Sequence, residues 1–183
     1  MNLREKMKKL DKNDAPKNIT NNEKIMSDND FIVSKTETKG VLTYCNQIFI
    51  DMSGYSKDEL IGANHNLIRH PDMPAVAFKL AWDLIKEGKE FFGFVKNLKK
   101  DGGYYWVFAY ITADYDESGK IIGYSSFRRR PSQAAIKAII PVYKLLVETE
   151  KKSGMRASQE LLEKYLKDNK TTYNDFVINL QKS

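Results

Sequence analysis

Cysteine is nearly absent. Cys45 is the only one in 183 residues, which excludes an internal disulfide framework and a CxxC metal site. Histidine is almost as scarce. His65 and His70 stand five apart with Pro71 adjacent, and no cysteine or glutamate beside them completes a zinc set, so no metal ligands are expected. No run of eighteen apolar residues occurs, so no direct membrane insertion is expected. The opening MNLREKMKKLDKNDAPKN is charged and lacks the apolar centre of a secretory signal. These features point to a cytoplasmic protein. There is no P-loop, no dinucleotide glycine fingerprint and no nucleophile–base pair. No catalytic residues are assigned, and an enzyme is not expected. The net charge of +6 is spread along the chain; it reads as solubility, not as a nucleic-acid face.

What is present is a domain-sized pattern between two differing ends. Residues 1–27 are polar and rich in lysine and asparagine, and read as an arm or short helix followed by a linker. The segment DFIVSKTETKGVLTYC is a hairpin signal turning at Gly40. Asn46 opens a helix that Gly54 stops, and Ser56 with Glu59 forms a capping box for a second short helix. A longer helix starts near Pro74 and ends at Gly88. Three strands follow: FFGFVKNLKK, YYWVFAYITADY and IIGYSSFRRR. Five antiparallel strands with helices between the second and third predict an α+β domain over 28–130, whose sheet closes one face against the helices and leaves a pocket between. Residues 131–183 form a helical C-terminal extension. Pro141 is expected to kink or break it, SGM at 153–155 is a joint, and Thr172 with Asp175 caps a last helix. Ala138, Ile139, Val142, Leu145 and Leu146 approximate one apolar stripe that must be buried somewhere.

Three groups of residues invite a binding role. The stretch NHNLIRHPDMP (64–74) gathers both histidines, Arg69 and Asp72 between two prolines. Asn97 shares one face of its strand with Phe91, Gly93 and Val95. Trp82 lies on one helical face with Phe78 and Ile85, where a tryptophan is either core or the wall of a pocket.

The order of elements, with MSGYSKDELIGANHNLIRHPDMP, AFKLAWDLIKEGK, GFVKN, KDGGYYWV and GYSSFRRR, resembles a PAS domain of the bacterial aerotaxis or energy-taxis receptors, in a stand-alone cytosolic form. The resemblance covers roughly residues 27–148. HNLIRHPDMP together with VKN resembles the subgroup that holds FAD non-covalently and uses its redox state as a signal. It implies that Arg69, His70 and Asp72 belong to the FAD-binding segment, with the forked cation of Arg69 suited to a pyrophosphate. It also implies that Asn97 offers an amide to the flavin edge, that Trp82 and Phe91 line the pocket, and that His65 and Asn46 contribute polar contacts. The pattern usually has Trp at the place of Phe91, which stacks with less area and no donor. The implied function is an FAD-binding redox or energy sensor that signals by contact with a membrane-bound chemotaxis transducer carrying HAMP and signalling domains; a homodimer is the other arrangement in view. Haem on an axial histidine is the alternative cofactor, and a ligand-free interaction module the alternative role. Flavin–thiol photochemistry is not expected, because residues 56–72 contain no cysteine.

Overall fold

A computed structural model describes residues 9–183. The first hairpin pairs β1 (Ile32–Glu37) with β2 (Leu42–Cys45), and Gly40 takes the left-handed φ of 78° that its turn requires. Then come α1 (Gln47–Ser53), α2 (Lys57–Leu60), a 3-10 turn (His65–Ile68) and α3 (Ala75–Lys86). The strands β3 (Phe91–Leu98), β4 (Tyr104–Tyr115) and β5 (Ile121–Arg129) follow, then α4 (Gln133–Asp168) and α5 (Tyr173–Lys182). The sheet order is β2-β1-β5-β4-β3, and every neighbouring pair is antiparallel. This is the predicted five-stranded α+β architecture with its helical extension.

The short helices start where their caps are written. Asn46 accepts from the Phe49 amide, and Ser56 and Glu59 form the reciprocal capping box. Thr172 accepts from the Asp175 amide at the start of α5. α3 differs. Pro74 stands at its N-cap and offers no side-chain bond. The Glu150 carboxylate of α4 reaches across instead and accepts from the amides of Ala75 and Val76, each at 2.8 Å. Asp72, two residues before that N-cap, turns to Lys96, with 2.6 Å between carboxylate and ammonium.

The apolar side chains gather in two clusters. One joins β1, β2, α1 and α2 to the inward positions Tyr105, Val107 and Ala109 of β4. The other joins α3 to Phe91, Phe94, Trp106 and Phe108 of β3 and β4, and to Ile136, Ile139, Tyr143, Leu146, Leu162, Tyr173 and Val177 of α4 and α5. The C-terminal helices thus share a core with the sheet. Their buried stripe is Ala135, Ile136, Ile139, Tyr143 and Leu146, whereas the expected Leu145 is 52% exposed. The stripe is rotated because Tyr143 supplies its centre, and residue spacing alone does not show that a tyrosine will point inward.

Pro141 does not break α4; the helix runs through it, and the break falls at Gly154, where φ is 84°. One missing N–H is tolerated inside a helix clamped by packing, while a left-handed residue needs glycine. The segment before β1 also packs on the domain. Thr20 and Lys24 donate to the carbonyls of Gly102 and Tyr104, and Met26 is buried in the first cluster. A Cβ on Gly102 would stand 2.0 Å from the Asn18 carbonyl oxygen, so this approach depends on glycine.

β3 is an edge strand, yet its outward polar groups are met by side chains. The Phe92 amide donates to Asn174 Oδ1, and Asn174 Nδ2 donates to the Glu90 carbonyl. Tyr143 donates to the Phe94 carbonyl at 2.9 Å, and the Lys96 amide donates to the Met73 sulfur. α4, α5 and the segment before α3 therefore seal an edge that would otherwise be open to pairing with another chain.

Candidate functional site

Between the inner face of the sheet and the layer made by the 3-10 turn and α3 lies a cavity of about 510 Å³, within the usual size range of small-molecule sites. β1 contributes Ser34 and Thr36, β5 contributes Tyr124, Ser126 and Arg128, and β3 contributes Phe91, Val95 and Asn97. Strand alternation selects these positions. α3 faces them with Ala77, Phe78, Ala81, Trp82 and Ile85.

Five residues singled out from sequence meet at this cavity: Arg69, Asn97, His65, Trp82 and Phe91. Arg69 and Asn97 are brought together by a backbone bridge between their segments. The Arg69 guanidinium lies 4.1 Å from the centre of the Phe78 ring. Burial pulls its pKa below the usual value, while the charge of Glu150 opposes that shift. Asn97 is 2% exposed, and its amide nitrogen is buried without a partner among the described residues. His65 has a buried, unpartnered Nε2. Burial pushes its pKa down to about 3, with Arg128 adding to the effect; the ring is neutral at ordinary pH. Trp82 stands 38% exposed at the wall, its ring 4.9 Å from that of Tyr124. Phe91 folds back over Gly93, where a Cβ would come within 2.7 Å of its ring, and stacks on Tyr173 at 5.7 Å.

Three others are placed elsewhere. Asn46 spends its amide on the Phe31 carbonyl and its oxygen on the amides of Val33 and Phe49. It fastens β1 to α1 and is not in the cavity wall. His70 turns from the cavity and packs edge-on against Tyr104, with Nδ1 accepting from the Asp72 amide. Its pKa is lowered to about 4 by burial and then by Lys96, with Asp72 opposing. Asp72 binds Lys96, whose ammonium lies 4.1 Å from the centre of the Tyr104 ring. The reason is geometric: the bridge at Arg69 and Asn97 directs the Arg69 side chain inward, and the next residues pass around the β3 edge.

Residues 42–128 match the PAS fold family. This part of the chain is a PAS domain. The chain is 40% identical over 128 residues to the aerotaxis receptor of Escherichia coli K12, an overlap of 70% of this chain and 25% of the receptor. It is 30% identical over 124 residues to phototropin-2 of Oryza sativa subsp. japonica, covering 60% of this chain and 14% of that protein. The chain thus spans about a quarter or less of these relatives. In shape it is similar to a light-oxygen-voltage domain studied with a flavin analogue, with a TM-score of 0.53, 23% identity, and 61% of this chain and 83% of the other covered. The light state of the Aureochrome1 LOV domain gives a TM-score of 0.53 at 20% identity, covering 61% and 88%.

Sequence reasoning missed three residues of this arrangement. Arg128 is 2% exposed in the cavity wall; the alternation Tyr124, Ser126, Arg128 was the available signal. Tyr143 of α4 also lines the cavity, and its hydroxyl is 2.7 Å from that of Tyr173. Burial raises the pKa of Tyr143, so the phenol stays protonated. Glu150, the cap of α3, had no local signal at all. Among the described residues no group of side chains could hold a metal ion, and no helix is long and apolar enough to cross a membrane.

Proposed function

We propose that this PAS domain binds FAD in the cavity and reports the cofactor's redox state through a protein contact made by its C-terminal helices. The observation that carries this reading is a ligand-sized cavity whose wall holds buried, unpartnered donors beside Arg69. Such donors are costly to leave unmet, and a heteroaromatic ring with carbonyl and ring-nitrogen acceptors answers them. The similarity to the aerotaxis receptor supports a signalling role; in this reading the protein is a cytoplasmic sensor whose partner is a membrane-bound transducer with HAMP and signalling domains.

Bound flavin supplies a ring that takes up and releases electrons and protons. The chain's own residues do the rest. Arg69 is the cation for the pyrophosphate, and Asn97 presents an amide able to exchange hydrogen bonds as the ring's protonation changes. Tyr143 joins the cavity wall to the Phe94 carbonyl and to Tyr173. A shift at the wall therefore reaches α4 and α5 through two hydroxyls, and Glu150 ties α4 to the start of α3. This is a population shift between two packings of the same helices.

The absorbance spectrum of the purified protein, with chromatography of the released cofactor, tests the reading. Flavin bands and FAD are expected; a Soret band assigns haem instead, with His65, a cavity-lining residue whose Nε2 is buried and unpaired, as its ligand. Arg69→Ala is expected to weaken FAD binding about tenfold to a hundredfold, the worth of one charged hydrogen bond, read by titration.

A further inference from the structure

Part of the cavity wall is built from residues whose buried donors lack acceptors. Arg128 stands near the end of β5, paired across to Ile32 of β1 and Ala109 of β4. Its Nη2 donates to the Ser34 hydroxyl. Its guanidinium lies 4.7 Å from the centre of the Phe49 ring. Nε and Nη1 are buried and have no partner among the described residues. The recorded partner is thus a hydroxyl, not a carboxylate. The groups that face it bring no negative charge. Cys45 of β2 and Tyr105 of β4 have pKa values raised by burial, so both stay protonated, and His65 stays neutral. Burial lowers the pKa of Arg128 itself only to about 10, which leaves it a cation. The Asn97 amide nitrogen is a further buried donor, beside the Tyr105 hydroxyl. Buried arginines are normally paired, because an uncompensated charge away from water is costly. Two free N–H positions of a planar fork, on a residue that lines a cavity, fit a planar acceptor edge.

We propose that Arg128 is the ring-recognition residue of this site. It takes the acceptor-rich edge of a planar heterocycle, which is the pyrimidine-dione edge of the flavin, while Arg69 serves the phosphates. The assignment rests on the flavin reading above. It places the ring among Arg128, Asn97 and His65, and it makes Arg128 responsible for choosing flavins over heterocycles that lack paired carbonyl acceptors.

The test titrates wild-type protein, Arg128→Met and Arg128→Lys with FAD, with riboflavin, which has no phosphate, and with 2-thioriboflavin, whose sulfur is a poorer acceptor on the same edge. Arg128→Met is expected to weaken FAD and riboflavin by the same factor, about tenfold to a hundredfold, with Arg128→Lys between it and the wild type. Wild-type protein is expected to bind 2-thioriboflavin several-fold less tightly than riboflavin, and Arg128→Met to lose that preference. A folded Arg128→Met protein, checked by circular dichroism, that loses FAD affinity but keeps riboflavin affinity overturns the assignment in favour of a phosphate contact. Unchanged affinity for both reduces Arg128 to a strut between Ser34 and Phe49. If the variants do not fold, equal wild-type affinity for riboflavin and its thio analogue overturns the proposal. Wild-type protein that takes up no flavin overturns the flavin reading and this assignment with it, whereas flavin binding indifferent to Arg128 overturns the assignment alone.

Discussion

The two apolar clusters are built by different means. The one around Phe49, Leu60 and Tyr105 is framed by short-range devices: an Asn46 cap, a Ser56–Glu59 box, and glycines at the hairpin turn and the end of α1. The one around Phe94, Ile139 and Tyr143 is held by side chains that cross the molecule. Tyr143 meets Phe94 across 49 residues, Glu150 meets Ala75 across 75, and Asn174 meets Phe92 across 82. The cavity lies between the clusters and takes Arg128 from the side of the first and Tyr143 from the second.

The severest way to break this comparison is truncation after Arg130. It removes eight buried residues of the second cluster, from Ala135 to Val177, and opens the β3 edge. We expect the remaining domain to fail to unfold cooperatively in urea and to aggregate; a sharp transition near that of the full chain would show that the second cluster is an accessory. Phe49→Ala and Phe94→Ala sharpen it. Each ring is fully buried, and each loss is expected to cost about 3–5 kcal/mol. Coincident shifts of circular dichroism and tryptophan fluorescence make the clusters one cooperative unit, and separate transitions make them two.

Acid probes the cavity end. His65 titrates near 3 in the folded chain, below the ordinary value of 6.5. The unfolded chain therefore binds the extra proton between these values, so stability falls as pH drops through that window and is unaffected by this group above it. His65→Asn is expected to flatten that part of the urea midpoint against pH. Glu150→Ala is the smallest change. It uncaps α3 at a cost of about 0.5–2 kcal/mol, read as a lower urea midpoint with the slope unchanged.

The legibility of the fold follows the range of its contacts. Caps, turn glycines and strand alternation act within a few residues, and they placed the five strands, α1 to α3, and Asn97 on the cavity face. The SGM joint was legible because only glycine adopts the φ found at Gly154. Pro141 misled because its local penalty is real but is outweighed by packing on both sides of it. Asp72 stands just before α3 without capping it: its carboxylate pairs with Lys96, and the helix amides are already served by Glu150.

The candidate site was half legible. Arg69 and His70 are neighbours in sequence, and nothing local says that the backbone bridge to Asn97 sends one inward and the other past the edge to Tyr104. Arg128 sits in a run of three arginines, of which the pattern cannot say which is buried; the register of β5 between β1 and β4 decides it.

By itself the sequence determined the order of elements, their caps and turns, the PAS resemblance, and the faces on which Asn97 and Trp82 lie, because these depend on stereochemistry and periodicity within one element. Only the tertiary structure decided that Tyr143 and Asn174 close the β3 edge, that Glu150 caps α3, and that Arg128 is left with unpaired donors in the cavity. Those outcomes depend on which distant group arrives first at a polar atom that must be satisfied once water is excluded.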